Sequence, residues 1–322
     1  MDDRTEAGRR RLLAGFAAWP LLQAAPRAAR AQTSQRRMVI PYPPGGSTDL
    51  LGRLYADALG NRLGEKFVVE NRPGANGTLA AQQLASATPD GRSLLYTFGN
   101  LLLNQQYLMK NPGVNPITDM VPVTRTAVID AAFVAAVDSP YKDLGELIEA
   151  ARRSPGKLTY AYYGDLAAAS VAALANVDLV RVPYKGGLPG MVDVAGGRVD
   201  FIYSSIAQAG PMLRSGKLKP LAVAGDQRLA DFPNAPTIKE FVPKYRAVDY
   251  QVLLAPKGTP RAIVDELYAK STAALESEDV KRQFLERSSR AAPMRPDELL
   301  AFMQEDLAAI GAACKAAGIT AE

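Results

Sequence analysis

From Met38 onward, short runs rich in β-branched and aromatic residues alternate with stretches of helical periodicity, and this alternation restricts the fold more than any single motif does. Met38-Val39-Ile40 reads as a strand, after which Leu50, Leu51, Leu54, Tyr55, Ala58 and Leu59 recur at helical spacing. Phe67-Val68-Val69 reads as a second strand, 78–87 as a helix and 93–97 as a third strand. The order β-α-β-α-β points to a parallel sheet, because parallel neighbours need a crossover connection. A high density of Pro, Gly and Asn between Asn111 and Val123 marks a long loop. A second series begins at 131–137. It continues with helix 144–152, strand 158–162, a short Ala-rich helix 166–175, strand 179–182, helix 188–194, strand 199–203, helix 206–213 and strand 218–223. Pro220 confines that last strand to a sheet edge or a strand start. After a proline-broken segment comes strand 251–255. Helices close the chain, the first opening at Thr259-Pro260, read as an N-cap and the first helical residue. Two α/β units facing each other give a cleft with a hinge, with ligands expected at the carboxyl ends of the strands.

The chain of 322 residues has no His and one Cys. A Ser-His-Asp triad, a Cys-His pair and a His-ligated metal are therefore excluded, as are an intrachain disulfide and a CxxC site. Residues 1–31 read as an export signal. Arg9-Arg10-Arg11 precedes an apolar run over 12–25 that is too short to span a bilayer, and Ala29-Arg30-Ala31 is a small-x-small cleavage pattern. The Arg pair ahead of the leucines resembles a twin-arginine signal, and cleavage is expected after Ala31. The six Arg and three acids of this segment carry +3 of the formal +5, which leaves +2. No basic run with interleaved aromatics follows, so nucleic acid is a poor partner. The expectation is an exported protein that acts in the periplasm.

Between the first strand and the first helix stands Tyr42-Pro43-Pro44-Gly45-Gly46-Ser47-Thr48-Asp49. Two prolines stiffen the entry, and two glycines permit positive φ and close approach of a ligand. Ser47, Thr48 or Asp49 can cap the helix. Free N–H groups at the helix start can hold a carboxylate without a basic side chain, and no Arg or Lys lies inside this loop. A plain Gly-rich turn stays open as the alternative. The segment is neither a P-loop nor a GxGxxG fingerprint.

Tyr42-Pro43-Pro44-Gly45-Gly46-x-x-Asp49 with Arg53, Glu70-Asn71-Arg72-Pro73-Gly74-Ala75-x-Gly77 and Thr88-Pro89-Asp90-Gly91 together resemble the Bug family. These are the TctC-like solute receptors of tripartite tricarboxylate transporters. The likeness continues through Pro155-Gly156-Lys157-Leu158, Val182-Pro183-Tyr184-Lys185-Gly186-Gly187, Leu221-Ala222-Val223, Pro236-Thr237-x-x-Glu240 and Ala317-Gly318-Ile319. The resemblance implies an α/β fold of the two-lobed, type II periplasmic-binding-protein kind, with a ligand cleft between the lobes. It places residues 32–133 with 248–322 in one lobe and 134–247 in the other. It further implies a small carboxylate held by backbone amides and bridging waters between two pincer loops, no cofactor and no metal, and membrane permease subunits as partners; the receptor is expected to be a monomer. The first pincer matches at Tyr42 to Asp49, with Thr97, Phe98 and Asn100 flanking it.

The second pincer departs from the family pattern. Where members show a Gly-x-Gly-Ser-x-x-His-Leu type of loop, this chain has Tyr162-Tyr163-Gly164-Asp165-Leu166, followed by a shorter helix. Asp165 would repel a dianion and suit a zwitterion, an amine or a neutral ligand, or else it caps the helix and faces water. Ser204 stands in a Tyr203-Ser204-Ser205 run that replaces an acidic position common in the family. Lys185 either reaches a ligand or fixes its own loop. Tyr42, Phe98, Tyr162 and Tyr163 either sandwich a flat ring or pack the lobe surface. Cys314 reads as a buried apolar residue of the last helix. A Ser204/Ser205–Lys185 dyad has no support in spacing, so no enzyme is expected. The other readings are a sensor that presents its ligand to a membrane signalling partner, and an enzyme on the same scaffold.

Overall fold

The computed structural model describes residues 35–245, 249–316 and 318–321, so the export signal expected over residues 1–31, Ala317 of the closing motif and the lobe boundary at 247/248 lie outside the described residues. The first half opens with β1 (Arg36–Ile40), α1 (Ser47–Leu63), β2 (Phe67–Asn71), α2 (Thr78–Ala85), β3 (Ser93–Phe98), α3 (Gly99–Leu108) and β4 (Met120–Ile129). The middle contains β5 (Ala131–Ala136), α4 (Leu144–Arg153), β6 (Thr159–Tyr162), α5 (Ala167–Ala175), β7 (Val180–Pro183), α6 (Gly187–Ala195), β8 (Phe201–Ser205), α7 (Ile206–Arg214), β9 (Leu218–Val223) and α8 (Ile238–Phe241). The chain closes with β10 (Asp249–Pro256), α9 (Arg261–Leu275), α10 (Glu278–Leu285), β11 (Ser289–Ala291) and α11 (Pro296–Ala316).

Two mixed sheets result, with orders β11-β4-β10-β3-β1-β2 and β7-β6-β8-β5-β9. The expected parallel pairings form between β1 and both β2 and β3, and between β6 and both β7 and β8. Neither sheet is wholly parallel, however: β10 runs antiparallel to β3 and β4, and β5 runs antiparallel to β8 and β9. The strands that leave one sheet and return from the other must enter against the parallel set. The chain changes sheet at Asp130. Its N–H donates to the Ser288 carbonyl (3.1 Å) and its carbonyl accepts from the Ile206 N–H (2.8 Å), tying the crossover to both halves. Its carboxylate pairs with Arg290 at 3.0 Å. β9 is an edge strand, where Pro220 needs no ladder donor.

Each sheet is covered on both faces, as period-2 alternation requires when both sides are apolar. Met38 and Ile40 face Leu51, Tyr55, Leu59, Leu267 and Phe284, whereas Val39 between them joins Ala80, Leu84, Leu102 and Met303. In the second sheet Phe133 and Ala135 pack against α4 and α5, while Ala132 and Val134 pack against α6 and α7. Met38, Val39 and Ile40 are at most 2% exposed, and burial contributes about 2 kcal/mol for each such side chain. Cys314 is buried on α11 with Ile310, as expected.

Several expectations are corrected. The proposed loop from Asn111 to Val123 ends at Met120, where the ten-residue β4 begins; α3 and β4 were not foreseen. Thr259 does not cap α9. Its hydroxyl bonds the Pro256 carbonyl, and Pro260 is the capping residue.

Candidate functional site

The first turn is held from within. Gly46 is the N-cap of α1, without a side-chain cap, so none of Ser47, Thr48 and Asp49 plays that part. The first intrahelical bond runs from Leu50 N–H to Gly46 (3.0 Å), which leaves the amides of Ser47, Thr48 and Asp49 in the unbonded first turn. Asp49 lies in that turn, 2% exposed, and its carboxylate reaches back to the Gly45 N–H (2.9 Å), to Arg53 Nε (3.1 Å) and to Asn71 Nδ2 (2.8 Å). Asn71 also donates to the Tyr42 carbonyl at 3.0 Å, and Arg53 Nη2 donates to Asn71 Oδ1 at 2.7 Å. Burial works to raise the pKa of Asp49, but the bonds from Arg53, the Gly45 amide and Asn71 outweigh it and hold the group below its ordinary value. Asp49 is therefore a brace, while Pro44, Gly45, Gly46 and Ser47 remain exposed and Thr48 is buried. Gly45, at φ +82°, makes the bend.

Behind the turn, Tyr42 meets Phe98 edge-on at 5.8 Å and 79°, so the two rings pack on each other and do not form a parallel sandwich. Burial pushes the Tyr42 hydroxyl up to about 12 against the opposing influence of Thr97 and Phe98, and among the described residues it has no hydrogen-bond partner of normal geometry. Thr97 is fully buried at the end of β3. Asn100, at the start of α3, donates to Asp249 Oδ1 at 2.6 Å, and its own Oδ1 is buried and unpartnered.

The second loop turns inward. The Tyr163 hydroxyl donates to the Tyr203 carbonyl (3.0 Å), and the Gly164 carbonyl accepts from Asn104 Nδ2 of α3 (3.3 Å), a bond between the two halves of the molecule. Leu166 and Ala169 of α5 join the cluster formed by α3 and α11. Asp165 accepts from the Ala167 N–H (3.2 Å), as a capping residue would, yet it is 8% exposed and does not face water. Burial, reinforced by the charge of Asp249, pushes it up to about 7. Burial likewise lifts Asp249 to about 6, with Asn100 and the neighbouring Tyr203 hydroxyl opposing the rise and Asp306 adding to it. Ser204 is buried and bonded to Gln208 (3.2 Å), while Ser205 caps α7, so neither serine is poised as a nucleophile.

Asn100, Tyr163 and Asp165 thus converge on Asp249, Tyr203 and Tyr245, three residues that the sequence did not single out; the exposed Pro43–Ser47 turn flanks them through Tyr42 and Thr97. Gly164 also borders a cleft of ≈ 520 Å³ shared by α3 and the second sheet, where Arg181 and Lys185 stand. Arg181 lies over the Tyr162 ring at 4.9 Å. A larger hollow of ≈ 830 Å³ runs along α5 and the C-terminal tail and holds none of the predicted residues. Among the described residues there is no cluster suited to a metal ion, and no helix is long and apolar enough to cross a membrane.

Two α/β sheets linked by an antiparallel exchange of strands, with polar loops meeting between them, are the architecture of the periplasmic-binding-protein class. The chain is similar to a structure described as the periplasmic binding protein BugD (29% identical, TM-score 0.73, covering 89% of this chain and 99% of that one). It is also similar to a Rhodopseudomonas palustris protein solved with adipate (29%, TM-score 0.76, 89% and 98%), and to MatC from the same organism with bound malate (29%, TM-score 0.70, 87% and 98%). Among curated relatives, a UPF0065 protein from the tcbD-tcbE intergenic region of Pseudomonas sp. strain P51 is 32% identical over 92% of this chain and 91% of its own length. BugT of Bordetella pertussis is 29% identical, over 84% and 85%. Residues 51–319 match the family described as the tripartite tricarboxylate transporter family receptor, TctC, and the chain belongs to that family.

Proposed function

We propose that this chain is an exported periplasmic receptor that closes two lobes, residues 32–133 with 248–322 and residues 134–247, on a small carboxylate-bearing metabolite and presents it to the permease subunits of a tripartite tricarboxylate transporter. Export uses the twin-arginine-like leader, cleaved after Ala31, and the mature receptor acts as a monomer. The observation that carries this reading is the braced turn at Pro43–Asp49, whose helix-start amides are free of side-chain caps while Asp49 is neutralised by Arg53 and Asn71. A ligand carboxylate there would meet the positive end of α1 and no uncompensated negative charge. The relatives solved with adipate and malate support a ligand of this class. In this reading the chain binds its ligand without turning it over, and the two candidate serines, Ser204 and Ser205, are hydrogen-bonded to Gln208.

A thermal-shift screen of residues 32–322 against mono- and dicarboxylates, amino acids and polyamines tests the reading. A ligand bound only to the native state raises the melting temperature with concentration. A carboxylate-bearing compound is expected to do so; a flat response across every carboxylate-bearing compound would contradict the assignment.

A further inference from the structure

The floor of the site is acidic and unsatisfied. Asp165 and Asp249 approach from opposite halves of the molecule, and among the described residues neither is paired with a Lys or Arg. Around them the hydroxyls of Tyr203 (3% exposed) and Tyr245 (1% exposed) are buried without a hydrogen-bond partner of normal geometry among the described residues, as are the Tyr42 hydroxyl and Asn100 Oδ1, although Tyr203 lies beside Tyr245 and Thr97 beside Tyr42. The Tyr203 hydroxyl sits beside Asp249 and opposes the rise in its pKa, but no hydrogen bond of normal geometry joins them. Buried polar atoms are almost always partnered, and each orphan is destabilising. Four together, next to two carboxylates, indicate a place prepared for a group the chain does not supply. The ionised carboxylates and Asn100 Oδ1 can only accept, and the tyrosine hydroxyls can accept as well as donate, so a cationic donor satisfies the set.

We infer that the metabolite carries an ammonium group as well as a carboxylate, the ammonium seated between Asp165 and Asp249 under Tyr203 and Tyr245 and the carboxylate on the Ser47–Asp49 amides. This rests on the receptor reading above and narrows its ligand class to amino acids in the broad sense. A second carboxylate in that seat would face two acids, whereas an ammonium would pair with them, and that difference selects against plain dicarboxylates. Among the described residues, the groups facing the pair are Tyr42 from the first turn, Asn100 from α3, Tyr160 from β6, Tyr163, Tyr203, Tyr245 and, from α11, Asp306. Each carries either no charge or a negative one. An ammonium favours the ionised carboxylates, so its affinity rises with pH between 5 and 8.

Calorimetry of the mature chain with pentanoate, glutarate and 5-aminopentanoate, together with the pair succinate and aspartate, tests the inference. The amino member of each set is expected to bind at least tenfold tighter than its dicarboxylate at pH 7.5, and to weaken as the pH falls to 5. Asp249→Asn and Asp165→Asn, the latter keeping an acceptor for Ala167, should each erase most of that preference, weakening the amino member and strengthening its dicarboxylate. The unliganded melting temperature checks that each variant folds; should one fail, the wild-type preference and its pH slope still decide. Tighter binding of glutarate or succinate would overturn the inference and leave the receptor reading intact. No binding by any probe would defeat both.

Discussion

The two binding loops hold carboxylates in opposite ways. In the first, Asp49 is surrounded by donors from Gly45, Arg53 and Asn71 and stays ionised, and the turn it braces leaves the Ser47–Asp49 amides without an intrahelical partner. In the second, Asp165 has one backbone donor, a neighbouring acid and little water, and burial drives its pKa up. The same side chain is structural where its charge is compensated inside the loop and available where it is not. This separates two tasks. On the proposed reading, the first loop attracts the carboxylate of the ligand, and the second sets what else the ligand must carry.

Three perturbations probe that separation. The largest effect is expected at Asp49. Asp49→Ala removes a buried carboxylate and strands three donors, at a cost of about 3 kcal/mol. For a chain of this size the melting temperature should fall by roughly 6 °C, and carboxylate affinity at least tenfold, because the turn loses its brace. If thermal melts and calorimetry show neither change, the first loop is not organised from within. Next comes Gly99→Ala. A Cβ there would lie 2.1 Å from the Tyr250 ring, so the start of α3 must shift, carrying Asn100 away from Asp249. Overpacking of this kind costs about 1–3 kcal/mol, and affinity for an ammonium-bearing ligand should drop severalfold while the first turn is spared.

The smallest effect is the pH dependence of the unliganded protein. Asp165, Asp249 and Asp306 have folded-state pKa values raised to about 7, about 6 and about 6. Above pH 4 the unfolded chain releases these protons and the folded one retains them. Their contribution is therefore complete below pH 4 and is lost as the pH rises through 6 to 7. The melting temperature should decline by a few degrees from pH 5 to 8, and the double variant Asp165→Asn with Asp249→Asn should flatten the slope. An unchanged slope in that variant would remove the second loop from the comparison.

Much of the architecture was legible because both sheets are buried on both faces, which writes strands as apolar runs separated by helical periodicity. The family likeness rested on turns such as Tyr42–Asp49 and Glu70–Gly77, where backbone geometry dictates residue type. What escaped was long-range. α3 begins with Gly99-Asn100, which reads as loop, and β4 carries Pro122 and Arg125 within its apolar run. Asp249 and Tyr245 follow a proline-broken segment without periodicity and acquire meaning only when the chain returns to the first sheet beside Asn100. The orientation of Asp165 was likewise out of reach, since capping α5 and facing a cleft require the same residue. Only the packing of α5 against α11 and α3 turns it inward.

A crystal structure of the mature chain with 5-aminopentanoate would settle where the ligand sits. The carboxylate is expected within hydrogen-bond distance of the Ser47–Asp49 amides, with the nitrogen about 3 Å from Asp165 or Asp249. Density for the compound at another place, with the Pro43–Asp49 turn bare, would contradict the account.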